Sequence, residues 1–175
     1  SAAGHYAGLV GTAVTGAPGL PDRPTVWDLY GGAGLFSAAV LDVAPDARVT
    51  VVESARSSLG AVETALGADV APRTVLARVE SFLEESAGDR DPADRPDLVV
   101  LDPPRGGAGI PVMTALAART RSRIVHVGCD PASLARDVGV LVAAGWTLVD
   151  LRGVAAFPGT HHVEGLAVLD SPRAR

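Results

Sequence analysis

Three groups of side chains in this 175-residue sequence have the type and setting to do chemistry. The first is a thiol. Cys129, the single cysteine, stands in Val127-Gly128-Cys129-Asp130-Pro131-Ala132-Ser133, where Asp130 reads as a helix N-cap and Pro131 as the first helical residue. The positive end of the helix dipole favours a thiolate there, while the neighbouring aspartate opposes it. An inert, buried small hydrophobe is the usual role of a lone cysteine. This one directly follows an apolar run and sits beside a glycine, which points away from that inert role. The second group is a carboxylate, Glu164, which opens the last apolar run after Phe157-Pro158-Gly159-Thr160-His161-His162-Val163. Strand and turn propensities give no reason for an acid at that place, and a solvated surface glutamate is the plain alternative. The third is Asp102-Pro103-Pro104-Arg105. Its two prolines fix φ and forbid helix, so they form a rigid extended lip. Arg105 at the end of that lip has the chemistry to stack on a base or to contact phosphate; the bland reading is a surface arginine in a glycine-rich loop.

A fourth feature prepares a binding site. Asp28-Leu29-Tyr30 runs into Gly31-Gly32-Ala33-Gly34, a turn in which glycine lets the backbone bend tightly and approach a ligand. Glu53 closes the next apolar run, 19 residues after Gly34, where an acid can accept hydrogen bonds from both ribose hydroxyls of an adenosine. Dinucleotides use the same geometry, but their fingerprint asks for Gly or Ala where Ser37 stands. Asp28, just before the turn, suits a cofactor with a cationic sulfonium and ammonium and no pyrophosphate, so S-adenosylmethionine is the expected cofactor. A structural turn in an unrelated α/β fold is the alternative. His161 and His162 invite a metal reading, but adjacent residues on an extended segment point to opposite faces and do not chelate one ion. No further Cys/His cluster supports a zinc site.

The elements that must position these groups alternate between β-rich apolar runs and Ala-rich helical runs. The pattern predicts strands at Val26–Tyr30, Arg48–Glu53, Thr74–Leu76, Asp97–Asp102, Arg123–Gly128, Thr147–Ala155 and Val163–Asp170. Helices are expected at Gly4–Val14, Leu35–Asp42, Ala55–Leu66, Val79–Glu85, Ile110–Arg119 and Pro131–Ala144. Near-continuous apolar strands are those of a parallel sheet buried on both faces. The final two strands are too closely joined for a crossover helix and should pair antiparallel. Ser86–Pro96 reads as a polar surface loop. The expected fold is α/β, Rossmann-like, with a mostly parallel seven-stranded sheet whose last strand is antiparallel, the class I methyltransferase layout. The length fits one domain.

Composition narrows the function classes. The formal charge is −5 and every basic side chain but histidine is an arginine, which argues against an autonomous nucleic-acid binder. No apolar run approaches the roughly 20 residues of a membrane span. The lone thiol is consistent with a reducing, cytoplasmic setting.

Taken together, DLYGGAGLF (28–36), VVLDPPR (99–105), HVGCDPASLARD (126–137) and FPGTHHVE (157–164) resemble, in order and spacing, the motifs of the RNA 5-methyluridine (uracil-5) methyltransferases of tRNA and ribosomal RNA. The resemblance covers nearly the whole chain. It implies cofactor contacts at Tyr30, Leu35, Glu53 and Asp102, alongside Asp28, Gly31, Gly32 and Gly34 of the turn. It also implies a nucleophile at Cys129 and a general base at Glu164. Arg105 and His161 are the candidate substrate contacts. Amino-methyltransferases of DNA carry an aromatic where Arg105 stands, which argues against methylation of an exocyclic amine. Departures from the family are Asp130, where Asn is common, and Ala77-Arg78, where a Gly-Asp pair often meets adenine. The family's N-terminal RNA-binding domain and glutamine segment are expected to lie outside this sequence, so the expectation is a monomeric catalytic fragment whose RNA-gripping surface is elsewhere. Two other readings stay open: a methyltransferase for another base or a small molecule, and a non-catalytic cofactor- or RNA-binding module.

Overall fold

The computed structural model describes residues 2–66, 72–87, 95–155 and 163–174. Its elements are α1 (Ala2–Thr15), β1 (Thr25–Leu29), α2 (Leu35–Val43), β2 (Arg48–Glu53), α3 (Arg56–Leu66), β3 (Arg73–Leu76) and α4 (Val79–Ser86). They continue with β4 (Leu98–Leu101), α5 (Ile110–Arg119), β5 (Arg123–Gly128), α6 (Pro131–Ala143), β6 (Thr147–Ala155) and β7 (Val163–Asp170). The seven strands form one sheet in the order β3-β2-β1-β4-β5-β7-β6. β1 to β5 are parallel where they pair, and β7 is antiparallel to both of its neighbours. β7 thus inserts between β5 and β6, and its antiparallel pairing with β6 is what the short connection between the two requires.

Alternation along the strands feeds two cores. Val26, Val49, Val51, Leu98, Val100, Val125, Val127, Leu166 and Val168 face α1, α2 and α3. Trp27, Leu29, Val52, Val99, Leu101, Ile124, Ala167 and Leu169 face α4, α5 and α6. Both faces are covered, so β1, β4 and β5 are buried along their whole lengths, as their apolar runs demand. Arg123 ties α1 to the sheet. Its guanidinium donates to the Ala13 carbonyl at 2.7 Å and, with both ends, to Asp170 at 2.6 and 3.1 Å.

One helix start follows directly from capping chemistry. Asp130 caps α6, its carboxylate accepting from the Ser133 amide at 2.8 Å, with Pro131 in the first turn. β1 ends one residue earlier than expected, because Tyr30 leaves the strand at φ 59°. A non-glycine residue in the left-handed region is strained and tends to mark a functional turn.

Candidate active site

Six strands of parallel sense leave their carboxyl ends on one edge of the sheet, where ligands of open α/β folds bind. A cavity of about 410 Å³ opens there. Tyr30 from the turn after β1, Val52 and Glu53 from β2, Ala77 to Glu80 after β3, and Asp102 and Pro104 after β4 line it. Its size is that of a small-molecule site.

The glycine turn is built tightly against the sheet. A Cβ on Gly31 would lie 2.5 Å from Val51 Cγ1 and 3.2 Å from the Asp28 carboxyl carbon. Glu53 organises the far side: its Oε2 accepts from the Gly32 amide and its Oε1 from the Ala55 amide, each at 2.8 Å. Oε1 also accepts from the Ser54 hydroxyl at 3.4 Å, and Oε2 keeps lone-pair capacity for a further donor. Where a Cβ of Gly32 would stand there is open space. An acid with acceptor capacity on Oε2, apolar Val52, Ala77 and Val79 beside it, and a turn clear of side chains together fit an adenosine-bearing cofactor.

Asp28 has a different place from the one its position before the turn suggested. It is fully buried, and its Oδ2 accepts from both the amide and the hydroxyl of Ser37 at the start of α2. Its Oδ1 has no hydrogen-bond partner. Burial pushes its pKa up to about 6, against the lowering effect of the Ser37 bonds. Asp28 therefore braces the turn from beneath, and Ser37, the residue that disfavours a dinucleotide, is its partner. Leu35 is exposed at the first turn of α2 and lines a separate groove between α1 and α2. Tyr30 lies against the cavity, and burial, followed by repulsion from Glu80 and Asp137, raises its pKa.

The remaining candidates gather on the other side of Asp102. The antiparallel ladder ends in the pair Gly128–Gly165, so Cys129, which follows β5, and Glu164, the second residue of β7, flank that last pair at the carboxyl edge. Cys129 is exposed and Glu164 half-buried. Asp102 as a residue is exposed, yet its carboxyl lies deep enough among protein atoms for desolvation to push it up to about 6. Glu164 adds repulsion and His126 pulls the other way. Tyr6 on α1 completes this group, a residue for which the sequence carries no signal. It is buried, and its hydroxyl donates to the Glu164 carbonyl at 2.9 Å. Burial, then Glu164 and Asp102, push its pKa up to about 12. Arg105 is exposed near Asp130, whose carboxyl is held below its ordinary range by the Ser133 hydrogen bonds first and by Arg105 after them. His161 lies outside the described residues. Among those described, no group of His, Cys, Asp and Glu is arranged to hold a metal ion, and no helix is long and apolar enough to cross a membrane.

No family model matches the chain. Over 172 residues it is 42% identical to an uncharacterized RNA methyltransferase of Corynebacterium efficiens, covering 95% of this chain and 38% of that protein. It is 39% identical over 154 residues to one of Thermotoga maritima, covering 86% and 33%. The chain thus spans about a third of the length of these curated relatives. Among solved structures, the Pyrococcus abyssi tRNA (uracil-54, C5)-methyltransferase in complex with S-adenosyl-L-homocysteine superposes with a TM-score of 0.71 at 22% identity, over 94% of this chain and 37% of that one. A precorrin-6y C5,15-methyltransferase of Geobacter metallireducens gives 0.71 at 18% identity, over 95% and 89%. The fold is that of the class I methyltransferases, and over 95% of its length the chain is similar to a bacterial protein named as an RNA methyltransferase.

Proposed function

We propose that this chain is the catalytic part of an S-adenosylmethionine-dependent RNA methyltransferase that methylates C5 of uridine in tRNA or ribosomal RNA. The observation that supports the reading is the end of the β5–β7 ladder, where the pair Gly128–Gly165 is flanked by Cys129 on one strand and Glu164 on the other, with Glu164 close enough to Asp102 to add to the upward push of burial on its pKa. The similarity to RNA methyltransferases along the chain supports the substrate class.

Glu53, Tyr30, Asp102 and the Gly31–Gly34 turn would hold the cofactor, which when bound supplies an electrophilic methyl group. Uracil C5 is too weak a nucleophile to accept that group unaided. The Cys129 thiolate adds to C6, forming a C–S bond and moving electron density onto C5. Once methylated, C5 still carries its proton. The Glu164 carboxylate accepts it, and the electron pair returns to break the C–S bond and release Cys129. A uridine within folded RNA must first be turned out of its stack.

Incubation with S-adenosylmethionine and RNA containing 5-fluorouridine tests this, since fluorine at C5 blocks the proton removal. A covalent RNA–protein band that disappears in Cys129→Ala is expected. Glu164→Gln should accumulate adduct on ordinary RNA and release product at least about 100-fold more slowly, the scale of a lost general base. Methylation of uridine by Cys129→Ala at the wild-type rate would sink the mechanism.

A further inference from the structure

The segment that follows Asp102-Pro103-Pro104 is not a free loop. Residues 105–109 are fastened to α6, the helix that begins just after Cys129. The Ser133 hydroxyl shares its one proton between the Arg105 carbonyl at 2.9 Å and Asp130 Oδ2 at 2.8 Å, and the Arg136 guanidinium donates to the Gly106 carbonyl at 2.8 Å. Asp137 holds the rest: its Oδ2 accepts from the Ala108 amide at 2.7 Å and its Oδ1 from the Gly109 amide at 3.2 Å. Asp137 has no solvent exposure and is also met by His126 Nε2 at 2.9 Å and by Arg136 at 2.9 Å. Burial alone would raise its pKa, but the bonds from His126, Arg136 and Ala108 more than offset this and hold it well below the carboxylate range. A buried carboxylate persists only when its acceptors are filled in this way. Gly107 fits the same design: at φ 78° its missing Cβ would collide with the Arg136 guanidinium and the Asp137 carboxylate.

We propose that Asp137 is a positioning residue for RNA: by clamping residues 105–109 onto α6 it holds Arg105 beside Asp130, and so beside Cys129, as the guanidinium that grips the RNA backbone next to the reacting nucleotide. The inference rests on RNA being the acceptor, though not on uridine being the base. The clamp ties the loop that carries the arginine to α6, the helix that begins two residues after the thiol. Its hydrogen bonds involve none of the residues that line the cofactor cavity, and Asp137 bears on that side only through its charge, felt at Tyr30. Loss of the clamp therefore weakens RNA binding and spares cofactor binding.

The test is a double-mutant cycle on this chain, with affinities for a uridine-rich RNA oligonucleotide and for S-adenosylhomocysteine measured side by side. Asp137→Asn and Arg105→Ala should each weaken RNA binding about tenfold, the scale of one charge-assisted contact. The double variant should be no weaker than Arg105→Ala, because Asp137 acts through Arg105, and S-adenosylhomocysteine affinity should stay within about twofold of wild type. Gly107→Ala, which forces the clamp apart and leaves both charges in place, should reproduce the Asp137→Asn effect and serves if that variant does not fold. Fully additive losses, equal damage to cofactor affinity, or a wild-type chain that binds no RNA would each overturn the proposal. Intact coupling in a chain that makes no 5-methyluridine would uphold the positioning role and refute the uridine chemistry.

Discussion

Asp28 is sealed under the glycine turn with one carboxylate oxygen bonded to Ser37 and the other without a partner. Ionising it in the folded chain is therefore harder than in the unfolded one, and its pKa rises from 3.8 to about 6. Between those two values the folded state holds more protons than the unfolded state, so stability falls as pH rises through the window. Below about pH 4 both states are protonated and the penalty vanishes; above about pH 6 it is fully present, at on the order of 3 kcal/mol. Asp28→Asn keeps an oxygen for Ser37 and removes the charge. Urea unfolding at pH 4 and pH 7 should show the variant gaining on wild type by about 2 kcal/mol across that interval. Curves that stay parallel would mean that Asp28 is ionised at no cost, with an unseen donor on Oδ1.

At the scale of elements, a bond across 158 residues of sequence ties α1 to the site, from the Tyr6 hydroxyl to the Glu164 carbonyl. Removing it in Tyr6→Phe leaves a carbonyl short of a donor at the first turn into β7 and should cost about 1 kcal/mol in urea unfolding. Hydrogen exchange should show the start of β7 opening more often, and unchanged protection there would deny α1 its part in placing Glu164. Gly31→Ala drives a methyl into Val51 and should destabilise by about 1–3 kcal/mol, the range for an overpacked core. These elements were largely legible in the sequence, because seven β-rich apolar runs and six Ala-rich helical runs alternate without ambiguity, and Asp130-Pro131 marks a helix start outright. The parts of the site that are local, such as the glycine turn with Glu53, were legible for the same reason. What was not legible is pairing at a distance. Nothing near Asp28 in sequence says that it points down to Ser37 and away from the cavity. Nothing in the Ala-rich helix Ala2–Thr15 singles out Tyr6. Asp137 reads as one more polar residue on an amphipathic helix until the fold brings Ala108 and Gly109 to it.

For the molecule as a whole, the sheet is covered on both faces and the candidate site lies at one edge, so in the proposed reaction RNA would approach along that edge. The chain carries a net charge of −5, and the carboxyl edge itself contributes Glu53, Glu80, Asp102, Asp130 and Glu164. Such a surface repels a polyanion except where an arginine intervenes. Arg105 is exposed at the mouth, and Arg56 is exposed at the start of α3, just after the carboxyl end of β2. Arg136 is nearby but spends its guanidinium on Gly106 and Asp137, and Arg78 is paired with Glu80 at 3.7 Å. RNA binding by this chain should accordingly involve few phosphates. A single-stranded partner releases about 0.7 counterions per neutralised phosphate, so two contacts give a slope of log K against log salt of about −1.4. Arg105→Ala should flatten that slope to about −0.7, while Arg48→Ala, at the opposite edge of the sheet, should leave it unchanged. Titrations at several salt concentrations measure both. A wild-type slope steeper than about −3, or one that Arg105→Ala does not alter, would place the RNA on another surface of the molecule and away from Cys129.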